Sequence, residues 1–145
     1  DSISYWEDFF EQKIMYPNMT KYLPFYFDTK GFVQNDKSFM ITGKHIEFLT
    51  AFLNSSVFKY CFIDNFPELQ GGTRELRKIF LDKIPVIPVS DKTNTEFKTL
   101  VLKIQKLVEK RAPTKDVEIE IDQKIFDLYD LSKKEREIIG FIEIH

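Results

Sequence analysis

The chain of 145 residues holds one cysteine, one tryptophan, two histidines and five glycines. A single thiol, Cys61, cannot form an internal disulfide, so a reducing cytoplasm is the expected setting. Cys61 stands between Tyr60 and Phe62, and burial is its expected role. His45 and His145 offer too few ligands for a zinc centre. His45 and Glu47 read H-x-E, but no C-x-x-C follows, and His45 is expected as a surface residue at a helix start. Neither G-x-S-x-G nor a phosphate-cradling glycine motif occurs, and no catalytic constellation emerges. No apolar run is long enough to cross a bilayer, and no signal-peptide pattern opens the chain, so no membrane contact is expected. The first residue is Asp1 rather than Met, which suggests a piece of a longer protein.

Apolar residues are plentiful: 43% of the chain is hydrophobic, with 15 Phe, enough for a packed core. The formal net charge is -2, yet the charge is unevenly spread. Residues 71–111 carry ten bases against five acids, and residues 112–145 carry five bases against nine acids. Local fields rather than totals guide a polyanion, and one segment here is basic.

The pattern of hydrophobicity predicts an α+β fold: a small mixed or antiparallel sheet with a packed helix, then a C-terminal helical segment. Residues 13–16, 23–28 and 39–42 alternate with turn signals and read as an antiparallel meander. Phe48, Leu49, Phe52, Leu53 and Val57 recur at helical spacing, predicting one helix over 44–60. Residues 64–73 read as a loop and 74–80 as a short helix. Pro85 and Pro88 make 84–89 an edge strand or an extended connection. Thr93 with Glu96 has capping-box spacing and opens a helix to about residue 110. Its apolar stripe over 97–108 reads as core or as a dimer seam. Asp122 is placed to cap a helix over 122–129, and Ser132 with Glu135 opens a last helix to about residue 143. The division expected is 1–89 for the α/β core and 90–145 for a helical extension packed on it as one unit.

Three stretches could carry function. Gly71 and Gly72 allow close backbone approach to a partner, and Thr73 adds a hydroxyl. Arg74, Arg77 and Lys78 would share a face on a helix. Phosphate oxygens are met by such groups, and arginine also reads guanine in the major groove. A solvated basic turn explains the same residues, and the sequence pattern does not choose between the two. Tyr16, Asn18, Lys21, Tyr22 and Asn35 lie in or near predicted turns, where a rigid scaffold could present them to base edges; each is also an ordinary turn residue. Asp116 and Asp122 with Lys124 resemble a Mg²⁺-nuclease pattern, a short motif common by chance.

Longer stretches carry a resemblance. K-I-M-Y-P-N-M at 13–19, F-Y-F-D at 25–28 and G-F-V-Q-N-D at 31–36 come first. F-L-T-A-F-L-N-S-S-V-F-K-Y at 48–60, G-G-T-R-E-L-R-K-I-F-L-D-K-I-P-V-I-P at 71–88 and I-D-Q-K-I-F-D-L-Y-D-L-S-K-K-E-R-E-I-I at 121–139 follow in order. Together they resemble the TaqI-like C-terminal specificity domain over roughly residues 12–140. This is the target-recognition part of adenine-specific DNA methyltransferases and of type IIG restriction-modification enzymes.

The resemblance implies double-stranded DNA as partner, alongside a methyltransferase domain of the same polypeptide. It implies S-adenosylmethionine, with Mg²⁺ if the parent enzyme also cuts DNA, bound outside this fragment. Here the N-P-P-Y signature is absent, so no catalysis is assigned to this chain. Asn54, in the triplet L-N-S, is expected to be structural. A protein-interaction module built from the helices beyond residue 90, without DNA binding of its own, is the alternative.

Overall fold

The computed structural model describes residues 13–17, 19–20, 25–28, 38–62, 66, 74–75, 84 and 86–143. The fold is α+β. Its sheet is built on β1 (Lys13–Pro17), which pairs antiparallel with β3 (Tyr26–Asp28) on one side and β4 (Ser38–Ile41) on the other. The strand order β3-β1-β4 corrects the expected meander, because the first strand lies in the middle. Pro17 is tolerated there because the β3 register covers only Lys13 to Met15, so the missing N–H falls where one neighbour has already ended. Ile14 and Phe27 face each other across the ladder, and both are buried.

A second ladder joins β2 (Met19–Thr20) to β5 (Arg74–Glu75), also antiparallel. Arg74 and Glu75 are therefore extended, which corrects the start of the helix expected over 74–80. Glu75 takes part in the β2 ladder instead of an i to i+4 turn.

The single helix expected over 44–60 is two helices, α1 (Ile46–Leu53) and α2 (Ser56–Phe62). Asn54 ends the first, its N–H directed at the carbonyls of Thr50 and Phe52. Ser55 begins the second: its Oγ accepts from Phe58 N at 3.2 Å, the position of an N-cap. Two consecutive residues that favour helix ends thus break an otherwise continuous apolar pattern. Cys61 is exposed near the end of α2, which corrects its expected burial. The inward face of that helix is occupied by Val57 and Phe58.

Three further helices follow: α3 (Asp91–Glu109), α4 (Lys115–Leu128) and α5 (Lys133–Ile139). The cap of α3 is Ser90, whose side chain accepts from Thr93 N; the helix starts before the Thr93–Glu96 pair. Helix α4 begins seven residues ahead of Asp122, leaving that residue in its interior. The capping box of Ser132 and Glu135 forms as expected. Helix α5 stops at Ile139, short of 143, because Gly140 takes φ 61, outside helical geometry.

The core is aromatic and continuous from the sheet to the last helices. Phe48 meets Phe97 of α3 at 5.0 Å between ring centroids, and Phe52 stacks on Tyr129 at 5.7 Å. Phe58 contacts Phe25, Phe52 and Phe66 at about 6 Å, edge-on to the first two, a geometry that aromatic pairs favour, and tilted to the third. The stripe of α3 is core: Phe97, Leu100 and Val101 are buried against the same cluster, while Val108 is exposed.

Three polar side chains tie these layers together. Asn54 accepts from Phe25 N at 3.2 Å and donates to Phe25 O at 2.9 Å, gripping both backbone groups beside β3. Asn94 of α3 accepts from Phe48 N at 2.9 Å and donates to Glu47, so it satisfies an orphan N–H in the first turn of α1. Asp122 of α4 accepts from Ser56 N at 2.9 Å and from Ser56 Oγ at 2.5 Å, at the first turn of α2. Both α1 and α2 thus have a first-turn N–H met by a residue from a later helix, and α2 keeps Ser55 as its own cap besides.

Candidate nucleic-acid interface

The sequence offers two separate candidate stretches, 16–22 and 71–78, and the β2–β5 ladder brings them together. Thr20 is the register partner of Arg74, and Met19 of Glu75. Tyr16 lies in β1 opposite Phe39, three residues before the start of β2. Asn18, Lys21, Tyr22, Asn35, Gly71, Gly72, Thr73, Arg77 and Lys78 lie outside the described residues. Because Arg74 is extended, the helical face proposed for 74, 77 and 78 loses its first member.

Buried side chains anchor the described residues next to these stretches. Phe66, buried against Phe58, is anchored ahead of Gly71 and Gly72 in the chain, and Ile84 is buried after them. The grip of Asn54 on Phe25 fixes the chain as it enters β3. Lys13 and Asp28, register partners on β1 and β3, form an ion pair of 2.5 Å with both side chains fully buried. Breaking one member of such a pair leaves a charge in an apolar place, which makes the β1–β3 register costly to shift.

The other candidate residues fall elsewhere. His45 has φ 55 and pairs with Asp91 at 2.5 Å, linking the start of α1 to the start of α3. The His45 hydrogen bond is the largest influence holding the Asp91 carboxyl below its ordinary value. The nuclease pattern does not assemble. Both oxygens of Asp122 are taken by Ser56, and Lys124 lies 3.4 Å from Glu96 on α3. Among the described residues, no group of three His, Cys, Asp or Glu side chains could hold a metal ion.

A cavity of about 330 Å³ opens beside Asp122, between Phe25, Ala51, Lys59, Val101, Ile104 and Ile121. Burial pushes the Asp122 carboxyl up, against the pull of the Ser56 hydrogen bonds and Lys59. Burial likewise holds the Lys59 ammonium below its ordinary value, opposed by Asp122 and Glu118. Lys59 also donates to Ile142 O at 3.1 Å, and Ser56 Oγ accepts from Ile142 N at 2.9 Å. The polar groups on this side of the cavity thus fasten the C-terminal tail to α2.

The α+β scaffold thus joins the two candidate stretches through one short ladder. Residues 1–86 match the TaqI-like C-terminal specificity domain. The chain belongs to that family, whose role is DNA recognition in restriction-modification enzymes. No curated protein matches the chain. The family match ends before α3, so the closing stretch 121–139 lies beyond it. No helix among the described residues is long and apolar enough to cross a membrane.

Proposed function

We propose that this chain reads a DNA target and positions an adenine-specific methyltransferase domain of the same polypeptide upon it. The observation that carries the reading is the β2–β5 ladder. It makes neighbours of two stretches, 54 residues apart at the Thr20–Arg74 pair, that were singled out independently for DNA contact. Tyr16, Asn18, Lys21, Tyr22 and Asn35 approach base edges from one side. Gly71, Gly72 and Thr73 bring the backbone near the duplex, and Arg74, Arg77 and Lys78 hold phosphate or grip guanine. S-adenosylmethionine belongs to the methyltransferase domain, where an adenine flipped from the stack would be methylated; a linked endonuclease would bring its own Mg²⁺. This chain supplies the address and none of the chemistry.

The test is duplex binding as a function of salt, read by fluorescence anisotropy. Arg74→Ala and Arg77→Ala should each weaken binding, and each lost phosphate contact should lower the salt slope by about 0.9. Parent-like affinity and slope in both variants would remove these residues from the interface. Open reading frame sequence ahead of Asp1 that lacks N-P-P-Y and a cofactor loop would remove the methyltransferase.

A further inference from the structure

The basic segment of the sequence runs to Arg111, and its second half lies outside the family match, on α3. Phe97, Leu100 and Val101 turn one side of this helix into the core. The opposite side is exposed and carries Lys92, Thr95, Thr99, Lys103, Lys106 and Lys110. The order follows from helical spacing: 103, 106 and 110 are separated by three and four residues, and 92 lies three turns before 103. Among the described residues, no carboxylate pairs with any of these four lysines.

Of the three acids of α3, two are engaged away from the stripe, and the third, Glu109, stands beside its C-terminal end next to Lys106 and Lys110. Asp91 is paired with His45, and Glu96 reaches Lys124 of α4. The lysines on α5 are fewer and more closely matched by acids, Lys133 and Lys134 standing beside Glu135 and Glu137, whereas the α3 stripe has only Glu109 at its end. From Lys92 to Lys110 the stripe runs about 27 Å along the helix. Duplex DNA presents a phosphate about every 3.4 Å of rise along each strand, so one rigid stripe can meet several.

We propose that the exposed lysine face of α3 is a second DNA contact, binding the phosphate backbone without regard to sequence. The inference rests on the DNA-recognition reading and extends it beyond the family match. Long, solvated ammonium groups carry no base code, but they neutralise phosphates and release counterions. The loops around β2 and β5 would then select the site, while α3 adds affinity that disappears with salt.

The experiment measures binding of the 145-residue chain to a fluorescein-labelled mixed-sequence duplex over a range of salt concentrations. The variants are the triple Lys103→Gln/Lys106→Gln/Lys110→Gln and, as a charge control, Lys133→Gln/Lys134→Gln. Circular dichroism melting checks that each folds as the parent does; all of these side chains are exposed, so folding should be unaffected. The α3 triple should bind at least about tenfold more weakly at low salt, with a slope shallower by about 2 to 3. The α5 double should stay close to the parent.

A parent-like slope in the α3 triple, or an equal loss per charge in the α5 double, would overturn the inference while leaving DNA recognition intact. No binding by the parent at any salt concentration would instead overturn the reading on which it rests.

Discussion

Replacing Asp122 by Ala removes the carboxylate that α4 lends to the first turn of α2. Two hydrogen bonds go with it, from Ser56 N at 2.9 Å and Ser56 Oγ at 2.5 Å. Ser56 is 1% exposed and Asp122 4%, so only water entering the adjoining cavity could replace the lost acceptor. Hydrogen bonds to a charged group are each worth about 1.5–3 kcal/mol net, and a buried donor left unmet costs about 1–3 kcal/mol. Against this stands the cost of burying the carboxylate itself, the largest influence on its titration. The balance is a loss of about 2–4 kcal/mol near neutral pH.

Urea denaturation followed by helical circular dichroism measures this. A loss below about 0.5 kcal/mol, the range of ordinary surface changes, would refute the capping argument. The pH dependence gives a second, independent reading. Burial raises the Asp122 carboxyl above its ordinary value of 3.8, so the folded chain holds this proton more tightly than the unfolded chain. The contribution of Asp122 is therefore greatest below that ordinary value and declines as pH rises through the raised one. Asp122→Asn, which cannot titrate, should show a shallower decline over the same interval. A slope identical to the parent would mean that the carboxyl is not displaced by the fold.

Two further outcomes are expected. Asn54→Ala removes the grip on both backbone groups of Phe25 and should cost about 2–3 kcal/mol in the same urea assay; a change within the surface range would make that contact incidental. A chain ending at residue 89 loses Asn94 and Asp122, which accept from the N–H groups of Phe48 and Ser56, and with them the α3 and α4 side of the aromatic core. It should show no cooperative thermal transition in near-ultraviolet circular dichroism, and a parent-like cooperative melt would refute the dependence.

Much of the helical half was legible because its signals are local. The stripe from Phe97 to Leu107 and the Ser132–Glu135 box depend on residues within a turn or two of each other. The sheet was legible in its strands but not in their order, since turn signals say where strands end and not which neighbour they choose. The break at Asn54 and Ser55 was visible as two cap-favouring residues in succession, but continuous apolar spacing on either side hid it.

Asp122 was misplaced for a different reason. Its partner Ser56 stands 66 residues away, and no local pattern distinguishes a residue that caps its own helix from one that caps another. Arg74 was read as helical because its basic neighbours share helical spacing. A two-residue ladder to β2 is set by tertiary pairing and leaves no period to detect. In the candidate interface, composition and turn chemistry singled out the two stretches, and the adjacency of Thr20 and Arg74 came only from the fold.

The borrowed caps on α1 and α2 bear on how such a reader of DNA could be exchanged between enzymes. A graft cut at residue 86, where the family resemblance stops, would carry the candidate recognition stretches but leave the Phe48 and Ser56 N–H groups of their supporting helices without the acceptors that α3 and α4 supply. A transplant that also carries α3 and α4 brings Asn94 and Asp122 with it. The smallest heritable unit of specificity is thus longer than the family's footprint, and recombination that respects it would cross over beyond α4 rather than at the end of the matched segment.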